Sequence, residues 1–266
     1  MNDAMTDTSV WADGAAFVGG EVVPIAEAKI PITAWGYRRS DVTYDVVGVY
    51  HGAFFRLKDH LRRFRASMKS LRMEPPESDA DIARILTGLV RRTGLREAYV
   101  AMDCMRGRPP RGVPYHPAYA PASLLCFAIP WVWLFSEEQQ ARGVHAMIAK
   151  TPRIAPESVD PTVKNFHWGD LTKAAFEAHD AGFEAAVLLD AEGMVTEGPG
   201  YNVFAVIDGA VVTPDRGALE GITRLSVFEL SDELGIAHAA RPISAAEFAN
   251  ADEIFFATTA GGIMPV

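Results

Sequence analysis

Strand hairpins alternate with amphipathic helices along the whole chain, and this order constrains the fold more than any other sequence feature. In the first half, VTYDVVGVYHGAFFRL predicts two strands joined by a turn at His51-Gly52. In the second half, YNVFAVIDGAVVTP predicts a hairpin that turns at Asp208-Gly209. Helices with apolar residues at helical spacing follow both hairpins. The pattern predicts a mixed α/β fold of the α+β kind, without internal repeats.

The chain is long enough for two small domains. Its 266 residues are 49% hydrophobic, which is enough to bury an extended core. The text IPWVWLFSEEQQ follows a strand predicted over residues 122–130 and is the natural place to divide the chain. We therefore expect an N-terminal α/β domain over residues 1–128, a linker over residues 129–136 and a second domain over residues 137–266.

Charge and composition argue against several classes of function. A formal net charge of −9 without a long basic run argues against nucleic acid as a partner. No apolar run approaches the roughly 20 residues that span a bilayer, and the first residues lack the pattern of a secretory signal, so we expect a cytoplasmic protein without a membrane partner. Cys104 and Cys126 have no C-x-x-C spacing, which predicts buried free thiols and no metal site.

The segment VDPTVKNFHW, residues 159–168, places a lysine among apolar residues. Burial among apolar groups favours the neutral amine of lysine, which is the form that makes Schiff bases. Val163, Phe166 and Trp168 are the candidates for such surroundings of Lys164. The same text is also typical of a loop lysine beside a helix start, so other motifs are needed to choose between these two interpretations of Lys164.

The text VTEGPGYNVF places Glu197 between strand-like residues and a Gly-Pro-Gly interruption. A carboxylate at such a position can keep the pyridine nitrogen of pyridoxal 5'-phosphate (PLP) protonated, which makes the ring a better electron sink. An ordinary turn carboxylate is the alternative interpretation.

A phosphate group could bind at the text LEGITR, where a glycine turn opens a helix. Free N–H groups at a helix N-terminus bind phosphate well, and Ile222 and Thr223 would supply them. Thr258 and Thr259, in the later text ATTAGG, could add a second donor. In the arginine-rich patch HLRRFR, Arg63 could add a bidentate cation. His60 of this patch is expected to be a helix-start or packing residue.

Five motifs in this order resemble the fold type IV PLP enzymes, the branched-chain and D-amino-acid aminotransferase group: HLRRFRAS, VKNFHWGDL, VTEGPGYNVF, LEGITR and ATTAGGIMPV. The resemblance spans nearly the whole chain. It implies a two-domain architecture with PLP between the domains and a pseudo-barrel as the domain over residues 137–266. Because members of the group usually continue further, we expect this domain to lack its last elements.

The resemblance also implies roles for single residues. Lys164 forms the Schiff base with PLP and moves the substrate proton, and Glu197 is the partner of the pyridine nitrogen. Arg63 matches the phosphate arginine of the pattern H-x-x-R-x-x-x-S, whereas Arg62 does not. The remaining cofactor positions bind the phosphate or pack against the ring: Ile222, Thr223, Thr259 and Leu219.

Within the group, KNFHWGDLTKA and SDVTYDVV most resemble the (R)-selective amine transaminases. The implied function is amino transfer between an amine or D-amino acid and a keto acid such as pyruvate. A branched-chain amino-acid aminotransferase and an aminodeoxychorismate-lyase-like enzyme are the alternatives. Tyr44 and Val46 match pocket-lining positions, although ordinary strand alternation would also explain them. The group further implies a homodimer.

A keto acid needs a cation for its carboxylate. The proline-rich loop RGRPPRGVPYHPAYAP, which we expect to be mobile, carries Arg106, Arg108 and Arg111. Arg39, expected on a strand, is a fixed alternative. Both Arg39 and Gly48 depart from the histidine-type or other side chains of the amine transaminases. We expect Arg106 to bind the carboxylate because it directly follows a predicted strand.

Overall fold

The computed structural model describes residues 8–266, which divide into two compact units. The first contains the residues up to Val132 together with Lys164–Phe166, and the second contains Trp133–Val163 and His167–Val266. No helix among the described residues is long and apolar enough to cross a membrane.

The first unit is built on a sheet of six strands covered by helices. Its elements in chain order are β1 (Ala15–Val18), β2 (Glu21–Pro24), α1 (Trp35–Arg39), β3 (Val42–Tyr50), β4 (Ala53–Phe54), α2 (Leu57–Ser70), α3 (Asp79–Thr93), β5 (Ala98–Arg106) and β6 (Ala122–Pro130). All neighbours in the sheet are antiparallel, in the order β2-β1-β6-β5-β3-β4. The predicted linker over residues 129–136 begins inside β6, and the division between the units falls within it.

Local sequence signals explain several of these boundaries. His51 and Gly52 both have positive φ, which suits the tight β3–β4 hairpin that their dipeptide predicts. Ser78 and Asp81 form a reciprocal capping box at the start of α3, and Gly94 ends that helix in the left-handed region. The prediction of α3 from its start and stop signals is confirmed.

Helices α2 and α3 cover one face of the sheet. Val47 and Val49 of β3 share a buried core with Phe64 of α2 and Leu86 of α3. Cys104 and Cys126 belong to this core as free thiols, which confirms their prediction, and burial raises the pKa of Cys104 to about 12. Because side chains alternate along a strand, Tyr44 and its same-face neighbours project from the opposite face.

The residues Lys164 to Phe166 add to the first unit at the start of β3. The short strand β4 pairs only with Val49 and Tyr50, at the far end of β3. At the near end, Thr43 forms an antiparallel bridge with Asn165. The lysine segment therefore pairs with the part of β3 that β4 leaves uncovered.

The second unit contains a larger and a smaller sheet. Its elements in chain order are α4 (Glu137–Arg142), β7 (Ala146–Ile148), α5 (Gly169–Asp180), β8 (Ala185–Val187), β9 (Glu197–Gly198), β10 (Tyr201–Ile207), β11 (Ala210–Thr213), α6 (Ile222–Leu234), β12 (His238–Ala240), α7 (Ala245–Ala249), β13 (Glu253–Thr258) and β14 (Gly262–Pro265). The larger sheet has the order β12-β11-β10-β13-β14, with β9 also paired to β10, and β7 pairs with β8 in the smaller one.

Glycine signals again mark the turns of this unit. Asp208 and Gly209 have positive φ in the β10–β11 hairpin, and Gly235 ends α6 in the left-handed region, as their sequence predicts. Ser244 accepts a hydrogen bond from the Glu247 N–H at the start of α7, while the Glu247 carboxylate bonds Arg241. Half of the predicted capping box is therefore present.

Candidate active site

Lys164 is fixed through its backbone to β3 and α2. Its carbonyl oxygen accepts hydrogen bonds from the Tyr44 N–H at 3.1 Å and from the Thr43 hydroxyl at 2.7 Å. Its N–H donates to the Ser67 hydroxyl at 3.3 Å. The Lys164 Nζ lies 4.3 Å from the centroid of the Tyr44 ring. Three hydrogen bonds thus hold the lysine backbone, and the amine lies at the sheet face that carries Tyr44.

The ring that contacts the amine was not among the residues that the sequence suggested. Phe166 packs edge-on against Tyr44 with ring centroids 4.9 Å apart, but 41% of Phe166 is exposed. Val163 and Trp168 belong to the second unit. In the first unit the ring against the amine is Tyr44, which lies far from Lys164 in the sequence.

Asp45, Arg63 and His60 form a buried charged network between β3 and α2. Arg63 donates from Nε and Nη2 to the two oxygens of Asp45, both at 2.8 Å, and His60 Nδ1 lies 2.8 Å from Oδ1. Burial raises the pKa of Asp45, but the charge of Arg63 and the His60 hydrogen bond outweigh it and hold the pKa well below its usual range. Burial lowers the pKa of His60, so the neutral ring donates to Asp45 and acts as a packing residue.

The pattern H-x-x-R-x-x-x-S places His60, Arg63 and Ser67 on one side of α2, because residues three and four apart are neighbours on a helix. The bidentate pair with Asp45 uses two of the five N–H groups of Arg63 and fixes the guanidinium plane. Arg62 points elsewhere: its side chain is 67% exposed and pairs with Asp59. The structure therefore orients Arg63 through Asp45 and leaves the preceding Arg62 at the surface.

Glu197 is buried in the second unit with both carboxylate oxygens in hydrogen bonds. Oε1 accepts from Arg153 Nη2 at 3.1 Å and Nε at 3.3 Å, and Oε2 accepts from the Leu219 N–H at 2.9 Å. Arg153 also donates to Asp170 at 2.6 Å. Burial lowers the pKa of Arg153, but Glu197 and Asp170 outweigh it and raise the pKa above its ordinary value. The two carboxylates therefore hold the Arg153 guanidinium charged beside Glu197.

Close packing explains the glycine that follows Glu197. A Cβ atom on Gly198 would lie 2.0 Å from the Tyr201 ring and 2.5 Å from the Ala186 carbonyl oxygen. The Tyr201 hydroxyl donates to that same carbonyl and accepts from the Ala186 N–H. The E-G dipeptide thus packs tightly against β10, which fixes the strand that carries the carboxylate.

The N-terminus of α6 has the form of an anion site. Its N-cap residue is Gly221, so no side chain caps the first turn of this 13-residue helix. A Cβ atom on Gly221 would lie 2.1 Å from Asn202 Oδ1, and Asn202 Nδ2 donates to the Leu219 carbonyl at 2.7 Å. Asn202 therefore holds the turn, and the N–H groups and dipole at Ile222 and Thr223 favour an anion.

Thr258 ends β13 and supports the turn after it. Its hydroxyl donates to the Gly200 carbonyl at 2.7 Å and accepts from the Ala260 N–H at 3.3 Å. These contacts give the Thr258 hydroxyl a structural role and position Thr259, the next residue of the turn.

Tyr44, Val46 and Gly48 follow one another on a single face of β3. Val46 is buried. A Cβ atom on Gly48 would lie 2.7 Å from the Tyr50 ring and 2.9 Å from the Trp131 ring. A larger side chain cannot replace Gly48, because these two rings occupy the space above it.

Arg39 and Arg108 line a cleft of about 440 Å³ in the first unit. Its walls are formed by three arginines, two aromatic residues, an isoleucine and a threonine: Ile32, Thr33, Trp35, Arg38, Arg39, Arg108 and Tyr115. The Arg39 guanidinium lies 3.9 Å from the centroid of the Trp35 ring, whose N–H donates to the Tyr115 hydroxyl at 3.1 Å. The prediction of a strand at Arg39 is wrong, because Arg39 ends helix α1 and β3 begins only at Val42.

Arg106 differs from the expectation of a mobile loop cation. It is the last residue of β5, and 7% of it is exposed. Its guanidinium donates to the Asp41 carboxylate at 2.7 Å and to the Leu71 carbonyl at 2.5 Å. A guanidinium that is held by an ion pair and by a backbone carbonyl stabilises the fold and is not a mobile cation. The loop begins after it, so Arg108 and Arg111 are its cations.

Most of this chain is similar to known proteins. A family model described as class IV amino-transferase matches residues 43–266. The chain belongs to this family. The branched-chain-amino-acid aminotransferase of Salmonella typhimurium is 29% identical over 93% of this chain and 82% of its own. The D-alanine aminotransferase of Bacillus licheniformis is 28% identical over 93% of this chain and 85% of its own.

A solved structure confirms the fold of this aminotransferase. The branched-chain amino acid aminotransferase of Thermobaculum terrenum, in its PLP form, superimposes with a TM-score of 0.83 at 26% identity, covering 95% of this chain and 84% of its own. The predicted mixed α/β architecture of fold type IV is therefore confirmed, as is the prediction that the protein is an aminotransferase.

Two residues of the candidate site were missed by the sequence analysis. Asp45 could have been found from the sequence, because it occupies a core-facing position of the apolar strand text VTYDVVGVY. A buried carboxylate at such a position needs a partner. The local sequence around Arg153 does not indicate its role, because its partners Asp170 and Glu197 lie 17 and 44 residues away. Pairing across such distances is set by the fold alone.

Proposed function

We propose that the protein is a PLP-dependent aminotransferase in which Lys164 carries the cofactor as a Schiff base. The observation that carries this proposal is the fixed position of the Lys164 amine against Tyr44, on the strand that also orients Arg63 through Asp45. A relative of the same family, the Thermobaculum terrenum enzyme, was solved in its PLP form.

The side chains present fit PLP. Arg63, with its guanidinium plane fixed by Asp45, and the N-terminus of α6 at Ile222 and Thr223 are suited to a phosphate, and the turn at Thr259 adds a donor. Leu219 lies next to the Glu197 carboxylate through its N–H and is suited to pack against a ring. We propose these five residues as the cofactor-binding set together with Glu197.

When bound, PLP supplies an electron sink for the carbanion formed at the substrate carbon. Glu197 would hold the pyridine nitrogen in its protonated form, and the ion pair with Arg153 fixes the carboxylate in place. Lys164, as an amine, would carry the proton between the substrate carbon and the cofactor in each half-reaction. Tyr44 and Val46 line the substrate side of β3.

For substrates, we propose an amine or D-amino acid as donor, with (R) selectivity, and a keto acid such as pyruvate as acceptor. The texts KNFHWGDLTKA and SDVTYDVV, which resemble the (R)-selective amine transaminases, support this choice. The D-alanine aminotransferase among the relatives is consistent with it. Arg39 and Arg108, which line one cleft, are the proposed partners of the keto acid carboxylate.

A branched-chain L-amino acid as donor is the second candidate, because branched-chain aminotransferases are frequent among the relatives and solved structures. Both enantiomers of leucine and of a primary aryl-alkyl amine, each with pyruvate and with branched keto acids, distinguish the two candidates. Turnover of the (R) donors with pyruvate supports the first choice. Turnover of L-leucine without turnover of the (R) donors would instead support a branched-chain L-amino acid as donor.

The reaction class is tested with the purified protein and added PLP. A yellow holoenzyme that loses its colour on addition of an amino donor, and regains it with pyruvate, is expected of an aminotransferase. Borohydride reduction followed by peptide mass spectrometry should locate the cofactor on Lys164. Release of pyruvate from aminodeoxychorismate without an acceptor would instead indicate a lyase. The homodimer and the cytoplasmic location stay predictions.

A further inference from the structure

One carboxyl group on the sheet face that carries the Tyr44 ring has no role in the chemistry described above. Asp103 of β5 pairs directly with Tyr44 of β3 on one side and with Leu125 of β6 on the other. Side chains of directly paired residues project from the same face, with Cβ atoms about 5 Å apart. Asp103 therefore lies beside the ring that contacts the Lys164 amine.

No cation within the described residues compensates the charge of Asp103. In residues 8–266 its carboxyl group makes neither a hydrogen bond nor an ion pair, although it is partly buried. Burial alone raises its pKa to about 7. The other titratable groups on this face of β3 and β5 are the phenols of Tyr44, Tyr50 and Tyr99, and the amine of Lys164 lies against Tyr44; the neighbour on β6 is the apolar Leu125.

A carboxyl group without a partner costs stability at a partly buried position, and groups of this kind concentrate at functional sites. Within the described part of the chain, Asp103 ties no helix to its strand, unlike Asp45, which joins α2 to β3. When ionised, the two carboxylate oxygens of Asp103 can only accept hydrogen bonds. They lie on the sheet face where a substrate bound to Lys164 would extend.

We infer that Asp103 selects the end of the substrate side chain, accepting a hydrogen bond from a hydroxyl, ammonium or amide group and repelling a second carboxylate. This inference rests on the proposed function, because it places the reacting carbon of the substrate at Lys164. The substrate class is then a monocarboxylic keto acid, or its amine partner, whose chain ends in a donor or a methyl group. Dicarboxylates such as 2-oxoglutarate are poor substrates.

Three acids of equal chain length test the selection without turnover: pentanoate, 5-hydroxypentanoate and pentanedioate. Calorimetry with the holoenzyme, above pH 7, should give pentanedioate about ten- to a hundredfold weaker binding than pentanoate, because like charges come together in a partly buried site. The hydroxy acid should bind at least as well as pentanoate. Asp103→Asn should remove most of the penalty on pentanedioate.

The pH dependence distinguishes charge from shape. Asp103 loses its charge as the pH falls through its pKa of about 7, so the wild-type penalty should shrink below that pH and be complete above it. Asp103→Asn should show a flat profile over the same range. Glu97→Gln removes the same charge from an exposed residue that bonds His51, and it should keep the wild-type selectivity.

Turnover of the matched keto acids completes the experiment: 2-oxopentanoate, 5-hydroxy-2-oxopentanoate and 2-oxoglutarate. Equal selectivity of wild type and Asp103→Asn within about twofold, or wild-type preference for the diacid, would overturn the inference. The expected order of binding without amino transfer to any keto acid would refute the proposed function while supporting the role of Asp103. The two failures are therefore distinguishable.

Discussion

The position of a single amine depends here on residues far from it in the sequence. Thr43 and Tyr44 hold the carbonyl of Lys164, Ser67 accepts its N–H, and a tyrosine ring lies against its Nζ. The three hydrogen bonds use only backbone atoms of the lysine, so its side chain can be replaced without removing the bonds that fix the segment.

Lys164→Ala should therefore abolish the yellow colour and nearly all amino transfer while leaving the fold intact. Absorbance spectra with added PLP, steady-state rates and circular dichroism measure the three properties. Lys173→Ala, which removes an exposed lysine of α5, is the matched control and should behave as wild type. Reducible cofactor attached to another lysine in the Lys164→Ala protein would contradict the assignment.

At the scale of elements, the charged network of Asp45 joins helix α2 to strand β3. Asp45 is fully buried, so removing its charge breaks its ion pair with Arg63, and breaking a buried pair in this way costs about 3 to 5 kcal/mol. The arginines that end α1 and β5 differ from each other. Arg39 lines a cleft, whereas Arg106 is fixed by a hydrogen bond to the Leu71 carbonyl.

Asp45→Asn should lower the free energy of unfolding by about 3 to 5 kcal/mol near neutral pH. The folded pKa of Asp45 lies below its unfolded value of about 4, so the stabilisation is complete above that value and is lost as the pH falls below it. Denaturant titrations of wild type and variant at several pH values test this sign. A difference that grows on acidification would refute it.

Arg39→Ala and Arg108→Ala should each raise KM for pyruvate by about ten- to a hundredfold, because a charge-assisted contact is worth about 1.5 to 3 kcal/mol. The half-reaction with an apolar amine should barely change. Arg106→Ala serves as the contrast: it should lower the melting temperature through the loss of Asp41 and Leu71 contacts and leave the KM ratio of the two substrates unaltered. A selective rise in KM for Arg106→Ala would restore that residue as the carboxylate partner.

For the whole molecule, we expect a homodimer, since closed two-fold dimers are the commonest assembly of soluble enzymes and the resemblance implies one. Light scattering of the holoenzyme across a dilution series, with activity measured on the same samples, tests this expectation. A monomer of undiminished specific activity would refute it.

Sequence patterns predicted the elements that carry strong local signals. Both tight hairpins, α3 and α6 were predicted because glycines, caps and apolar spacing act within a few residues. Helix α1 and strand β14 were missed, because α1 has five residues and no side-chain cap, and β14 is stabilised by pairing with β13. The candidate site residues were predicted from the five motifs and stay predictions. The contacts that fix Arg106 could not be predicted, because Asp41 and Leu71 belong to other parts of the fold.

Neither unit is one continuous stretch of the sequence, and this affects the expression of either unit as a separate fragment. A fragment that stops at Val132 lacks the three residues Lys164–Phe166, which belong to it. The edge of β3 at Thr43 and Tyr44 would then be uncovered, and an open strand edge is a template for pairing with other chains. We expect such a fragment to aggregate when expressed alone, and a peptide spanning residues 159–168 to raise its soluble yield by occupying that edge.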